Sequence, residues 1–346
     1  MGNFVGRQEL VMPHEDLDRV KEKVALLDRL SFFRHVFVDL MRMRFSNYER
    51  KIDICQGLFN GEGAGTIHRK FDFIELIRKL GYRGPEQVLC FPGQTDDLEK
   101  AKALLEKHGC VLCKPKDGQQ GIGIFRCKEV ADLVFKLENV NQPYIVQEYI
   151  PPILDYRYVY HIDPEVTYRF CYKKVRPALY GNGRETLEKL IKDNAELPPS
   201  SKKKLIKQLP ELEAHKIPEK GKRIELVDSG NVSKGAYGAL VTGDELAALD
   251  KIMLGLIADL QEAHQSRLTT FCFDLGLLRD NVSADDATKD DYVFYEYQIP
   301  FGLSGYITAP EVEENKTRVA RLFMGSLQRS WISRKKHGAA RVSLTD

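Results

Sequence analysis

The sequence predicts an α+β protein of more than one packed unit, with a cleft between lobes, and three observations carry that expectation. The chain has 346 residues, more than one hydrophobic core usually serves. Strand-like runs rich in Val, Ile, Tyr and Phe alternate with segments of helical periodicity. The glycine-rich stretch "KPKDGQQGIGIF" joins one strand to another and has the spacing GxxGxG. A dinucleotide-binding turn needs GxGxxG ahead of a helix N-terminus, so this stretch is a hairpin tip instead.

Composition narrows the class. With 43% hydrophobic and 29% charged residues and a net charge of +2, no strong pull toward nucleic acid or a membrane surface is expected. No apolar run reaches the roughly 18 residues of a spanning helix, and the first twenty residues lack a signal-peptide core, so the expected location is cytoplasmic. Seven cysteines at 55, 90, 110, 113, 127, 171 and 272 form an odd, dispersed set, which suggests reduced thiols. Cys110 and Cys113 make a CxxC inside a strand-like run. Residues three apart there face opposite sides of a sheet, so buried structural thiols are preferred to a zinc or redox pair.

In chain order, the first 45 residues read as helical and "GLFNGEGAGT" (57–66) as a loop, without the GK[ST] of a Walker phosphate loop. "HRKFDFIELIRKLGYRGPEQ" is an amphipathic helix stopped by Gly81, and "QVLCF" a short strand. "TDDLEKAKALLEKHG" is a helix with Thr95 as N-cap and Gly109 at its end. "CVLCKP" and "IGIFRC" are the strands flanking the glycine tip, and "KEVADLVFKLENV" is a helix. "PYIVQEYI" is a strand ending at Pro151, and "DYRYVYHID" and "VTYRFCYKKVRPALYG" are further strands. "GNGRETLEKLIKDN" turns into a helix. Residues 202–223 hold eight Lys/Arg against three Glu, and a solvated helix and loop is preferred there to a polyanion site. "IELVDSGNVSKGAYGALVT" reads as strand, polar loop and strand, and "TGDELAALDKIMLGLIADLQEAH" as a long amphipathic helix. Two strands, "TTFCFDLGLL" and "DYVFYEYQIPFGL", flank a loop of thirteen polar residues.

Two groups of residues carry chemistry. Glycines at the hairpin tip let backbone N–H groups approach an anion, and Lys114, on the strand that feeds the tip, places an ammonium beside them. The plain alternative is a tight hairpin. Asp274 interrupts an apolar strand, which is costly unless it is paired or binds metal. Glu296 and Gln298, two apart, share one face of another strand. Carboxylates and an amide oxygen suit Mg2+ held with nucleotide phosphates, against the alternative that Asp274 pairs with a lysine and Glu296 is solvated. Taken together, the two groups predict a Mg–ATP site between lobes.

From about Lys70 to Tyr306 these motifs resemble an ATP-grasp ligase, in an order similar to that of cyanophycin synthetase and the bifunctional glutathione synthetases. The resemblance implies an ATP-grasp fold, two α+β lobes holding ATP between antiparallel sheets. Its expected units are a short helical region (1–66), an N-lobe with the glycine loop (67–146) and a C-lobe with the metal strands and a C-terminal helix (147–346). "RKFDFIELIRKLGYRGPEQ" is similar to the helix of the first nucleotide lysine, Lys70. "KPKDGQQGIGI" resembles the phosphate loop, with Lys114, Lys116, Gly118, Gly121 and Gly123. "IVQEYIPPILDYRYVY" looks like the hinge, with Glu148, Tyr149 and Ile150 at adenine, Asp155 at ribose and Arg157 at the phosphate or acyl-phosphate. "VRPALYGNGRETLEKLI" and "IPEKGKRIELVDSGNVSKGA" are similar to the segments that bring Arg176, Asn231 and Ser233 to the site. "CFDLGLL" and "VFYEYQIPFGL" resemble the metal strands, with Asp274, Glu296 and Gln298 on Mg2+, or on Mn2+ in its place.

The chain departs from the pattern at Gln298 for asparagine, Asn182 for aspartate and Lys234-Gly235-Ala236 for Thr-Gly-Gly. The implied activity is an ADP-forming, ATP-dependent carboxylate–amine ligase that makes an amide through an acyl-phosphate. Its substrates would be small-molecule or peptide carboxylates and amines, and a homodimer through the helical N-terminus stays open. A small-molecule kinase and an inactive nucleotide-binding regulatory module are the alternatives.

Overall fold

Two antiparallel sheets organise the chain in the computed structural model, which describes residues 60, 69–118, 122–162, 167–227, 230, 234–264, 268–298 and 328. The first is built from β1 (Gln87–Cys90), β2 (Val111–Pro115), β3 (Phe125–Cys127) and β4 (Tyr144–Glu148), in the order β1-β4-β2-β3. Helices α2 (Thr95–His108) and α3 (Val130–Glu138) supply its core, where Leu104, Leu105 and Leu133 pack on Val111, Cys113 and Val146. The α+β class and the antiparallel sheets are as the sequence predicts.

The second sheet has the order β11-β10-β5-β6-β9, with every neighbour antiparallel. Its strands are β5 (Leu154–Ile162), β6 (Thr167–Val175), β9 (Tyr237–Leu240), β10 (Thr270–Leu277) and β11 (Tyr292–Tyr297). The long helix α7 (Gly243–Ala263) covers one face with Leu249, Met253, Leu256 and Leu260. Helix α1 (Lys70–Lys79) joins this same core through Phe73, Ile74 and Ile77, all fully buried. Each such side chain contributes about 1.5–3 kcal/mol of burial. The sequence placed this helix with the first lobe; its apolar stripe instead pairs with the larger sheet, against β11.

A third, smaller core lies under the two-stranded antiparallel sheet of β7 (Ala178–Tyr180) and β8 (Arg223–Glu225). Helices α4 (Leu187–Asp193) and α5 (Pro199–Gln208) close it with Leu187, Ile191 and Leu205, and the short helix α6 (Glu211–Ala214) follows with no buried residue. The basic stretch from 202 onward is helix and loop whose lysines are exposed or half-buried, as expected of a solvated face. Asn182 is a turn residue: its Oδ1 accepts from the N–H groups of Arg184 and Glu185, both at 2.9 Å.

Some local expectations are corrected. Thr95 is the first residue of α2 and caps nothing; the N-cap is Gln94, and Asp97 Oδ2 accepts from Phe91 N at 3.2 Å. Gly109 does end α2 in the left-handed region, at φ 69°. The strand expected over "IGIFRC" begins only at Phe125, because Ile122 and Gly123 belong to the turn. Asn60, expected in a loop, is helical and buried, and its Oδ1 accepts from the N–H groups of Thr269 and Thr270, each at 2.7 Å. The expected N-terminal helices before residue 60 and the C-terminal helix lie outside the described residues. Six described cysteines are free; Cys113 is buried while Cys110 is half-buried, and the described residues contain no cluster of three metal-ligating His, Cys, Asp or Glu. No described helix is long and apolar enough to cross a membrane.

Gly276 is where the larger sheet is tightest. It stands opposite Asp155, and a Cβ there would meet Pro152 Cβ at 2.5 Å and Tyr295 Oη at 2.7 Å. Proline cannot yield as a flexible side chain would, so Gly276→Ala is expected to destabilise the protein by about 1–3 kcal/mol, read as a lower urea midpoint at unchanged slope.

Candidate active site

The alternation of β5 divides its side chains between two jobs. Tyr156 and Tyr158 point to α7, where their hydroxyls donate to Glu245 and Asp250 at 2.7 Å each. Asp155 and Arg157 face the other way, into the cleft. Sheet register then sets Arg157 beside Asp274 on β10, and Asp274 beside Glu296 on β11. Three adjacent strands thus deliver a cation and two carboxylates to one face.

Asp274 is 8% exposed, and both of its oxygens are engaged. Arg157 Nε donates to Oδ1 and Nη2 to Oδ2, each at 2.7 Å, and Lys174 Nζ lies 2.8 Å from Oδ2. Burial pushes the carboxyl pKa up, but Arg157 and Lys174 outweigh it and hold the group well below the usual carboxylate range. Arg157, buried with it, is driven well above the ordinary guanidinium value: burial opposes its charge, and Asp274 restores it.

A β-bulge shapes the pairing of β10 and β11. The β10–β11 register slips between Asp274 and Leu275, leaving Tyr295 as the extra residue between Glu296 and Phe294. Phe294 and Tyr297 therefore both enter the core, while Tyr295 and Glu296 both turn to the cleft. The Tyr295 hydroxyl donates to the carbonyl of Ile150 at 3.1 Å, and Ile153 N donates to Leu277 O at 2.8 Å. Those two bonds pin the link from β4 to β5, the stretch expected to be the hinge, to the larger sheet. Gln298 follows β11; its backbone N–H donates to Cys272 O at 2.9 Å, and its Oε1 is buried without a hydrogen-bond partner. Gln298 lies two residues after Glu296, and its orphaned amide oxygen with the Asp274 and Glu296 carboxylates makes up a set of hard oxygen donors of the kind that suits Mg2+.

Two lysines approach from the side of the glycine hairpin. Lys70, at the start of α1, donates to the carbonyl of Gly118 in the glycine hairpin and lies 3.6 Å from Glu296, so it ties the hairpin to the larger sheet. Lys114 on β2 is 8% exposed, and its pKa falls to about 8. Burial is the largest cause; Glu296 pulls the value up and Lys70 pushes it further down. Gly123, at φ +74°, and Gly118 stack on Pro115, where a Cβ on either would come within 2.9–3.0 Å of that ring. Lys116 N–H donates to Pro143 O at 3.0 Å and closes the base of the turn.

Other expected residues take their own places. Glu148 turns its carboxylate toward the first lobe, accepting from Glu86 N at 3.3 Å and lying 3.5 Å from His108 Nδ1. Arg126 lies over the Tyr149 ring, 5.1 Å from its centroid, and donates to its hydroxyl at 3.2 Å. Asp155 is half-buried, with its pKa raised by burial against the pull of Lys174 and Arg176. With Lys174, Arg176 and Arg223 it lines a pocket of about 280 Å³. Gly121, Asn231 and Ser233 lie outside the described residues. Sequence reasoning missed Lys174 and Tyr295. The doubled lysine of "YKKV" was the available signal, since neighbours in a strand face opposite sides and one of the two had to face inward.

No family model matches the chain. A 64-residue stretch is 42% identical to a glutathione synthetase of Vibrio parahaemolyticus, covering 17% of this chain and 20% of that protein. The fold is similar to a bifunctional glutathione synthetase from Pasteurella multocida, at 18% identity and TM-score 0.42, over 77% of this chain and 37% of that one. It is also similar to an ATP-grasp ligase solved with its precursor peptide and AMPPNP, at 12% identity and TM-score 0.41, over 83% and 69% of the two chains. The chain thus spans well under two thirds of both glutathione synthetases.

The lowered Lys114 pKa has a measurable consequence. Between pH about 8 and 10.5 the unfolded chain keeps this proton and the folded protein has lost it, so stability rises with pH across that window. The shift corresponds to about 3 kcal/mol in total. Urea unfolding from pH 7 to 10.5 is expected to show this rise in the native protein and to lack that part of it in Lys114→Met.

Proposed function

We propose that the protein is an ATP-grasp carboxylate–amine ligase, forming an amide through an acyl-phosphate with release of ADP and phosphate. One observation carries the reading: among the described residues five cations, Lys70, Lys114, Arg157, Lys174 and Arg176, meet three carboxylates, Asp155, Asp274 and Glu296, in one cleft. That excess of half-buried and buried positive charge suits a multiply charged anion, and a nucleotide polyphosphate is one.

In this reading Lys70, Lys114, Lys116 and the N–H groups of the glycine hairpin, with Gly118, Gly121 and Gly123, hold the phosphates. Glu148, Tyr149 and Ile150 line the adenine, and Asp155 accepts from ribose hydroxyls. Arg157 and Arg176 stabilise the acyl-phosphate, with Asn231 and Ser233 beside it. Asp274, Glu296 and Gln298 hold Mg2+ or Mn2+, which when bound neutralises charge on the transferred phosphoryl group. The reaction needs positioning and exclusion of water more than a nucleophile, and the hinge bonds from Tyr295 and Ile153 keep both lobes set for it.

The test is a pooled-substrate assay with Mg–ATP, following ADP, phosphate and product mass. The expected result is ADP release that requires both a carboxylate and an amine, with a product one water lighter than their sum. Lys114→Ala and Glu296→Ala are each expected to lower the rate at least about 100-fold. A phosphorylated product formed without any amine would contradict the ligase.

A further inference from the structure

Of the three proposed metal ligands, only Asp274 is closed. Glu296 faces Lys70 at 3.6 Å, beyond a hydrogen bond, and Gln298 Oε1 has no partner. Asp274, by contrast, has Arg157 across both oxygens and Lys174 at 2.8 Å on one of them. Lys174 has no part in the reaction as read so far.

We propose that Lys174 is a positioning residue: with Arg157 it holds Asp274 as an internal counter-ion, and it frees that carboxylate for metal only when a nucleotide polyphosphate draws the cation away. The inference rests on the ligase reading for the identity of the polyanion.

The arrangement makes such an exchange physically reasonable. Asp274 is buried with Arg157 across both oxygens and Lys174 on one of them, so a charge there must be balanced at every stage, by the protein's own cations or by a metal. Withdrawing those cations without a substitute would strand a buried anion; withdrawing them onto phosphate while metal arrives would not. Lys174 also has a second direction to occupy. It lines the 280 Å³ pocket with Asp155 and Arg176, and its charge already acts on Asp155. It therefore stands between two carboxylates, Asp274 on one side and Asp155 on the other. Lys173, next to it, points to the opposite face and pairs with Glu245 at 3.1 Å, so it cannot replace Lys174. Metal and nucleotide should then bind as strongly coupled ligands, and Lys174 should carry part of that coupling.

The experiment measures Mn2+ affinity by electron paramagnetic resonance, with and without AMPPNP, for the native protein and for Lys174→Met, Lys174→Arg and Arg223→Gln, each checked for folding by circular dichroism. Lys174→Met is expected to bind nucleotide-free Mn2+ about tenfold more tightly, and the AMPPNP–Mn2+ coupling to shrink by the same factor. Lys174→Arg, which keeps the charge, should restore native values. Arg223→Gln removes an equal charge from the lining of the same pocket without touching Asp274, and should stay within about twofold of native in nucleotide-free affinity. Equal Mn2+ affinity in native and Lys174→Met protein would overturn the proposal, as would an Arg223→Gln effect as large as that of Lys174→Met. Failure of AMPPNP to bind even with Mn2+ would overturn the ligase reading and the release step, while the nucleotide-free arm would still decide whether Lys174 holds Asp274.

Discussion

The ion pair between Asp274 and Arg157, with Lys174 as its third member, is the constraint on which the rest of the cleft depends. A lone carboxylate at this depth would cost several kcal/mol in lost hydration, and it stays ionised because two cations meet it at hydrogen-bond distance. Those cations come from β5 and β6 and the acid from β10, so the register of three adjacent strands has to be right. A slip of one residue would send Arg157 toward α7 and leave a tyrosine facing Asp274. The aromatic and apolar packing of Tyr156, Tyr158, Phe271 and Phe273 on the other face is what resists that slip.

Among the described residues, the Lys70 side chain joins the same sheet to the glycine hairpin. Lys70 starts a helix whose core residues belong to the larger sheet, yet its ammonium reaches the Gly118 carbonyl as well as Glu296. Tyr295 makes a second link, at the hinge, and the β-bulge is what lets it do so without removing Glu296 from the cleft. Gly276 leaves room for that ring. The Lys114 proton is loosely held chiefly because the ammonium is buried; Lys70 loosens it further, and Glu296 opposes both.

Much of this was legible in the sequence, for reasons specific to each element. The glycine tip could be told from a dinucleotide turn because a strand follows it, and Asp274 stood out because an acid in "TFCFDLGL" has to be compensated. The plain alternative for that acid is part of the outcome: Asp274 does pair with a lysine, and also with an arginine, a partner that the sequence did not point to. What stayed hidden depends on tertiary contact. A bulge at Tyr295 leaves no mark in the two-residue alternation of "DYVFYEYQ", because it is decided by the partner strand. Helix α1 has an apolar stripe that is readable, but nothing in it says which sheet it covers. Thr95 looks like a helix cap, but α2 starts one residue earlier, and Asp97 does the capping of the preceding turn.

The central claim is that the cleft between the glycine hairpin and β10–β11 takes a nucleotide polyphosphate. Hydrogen–deuterium exchange of the protein with and without Mg–AMPPNP tests it most directly. The account predicts slower exchange in peptides covering Lys114–Cys127, the hinge from Glu148 to Arg157, and Tyr292–Gln298, with helices α4 and α5 much less affected. Protection confined to other parts of the chain, or none at saturating Mg–AMPPNP, would contradict it.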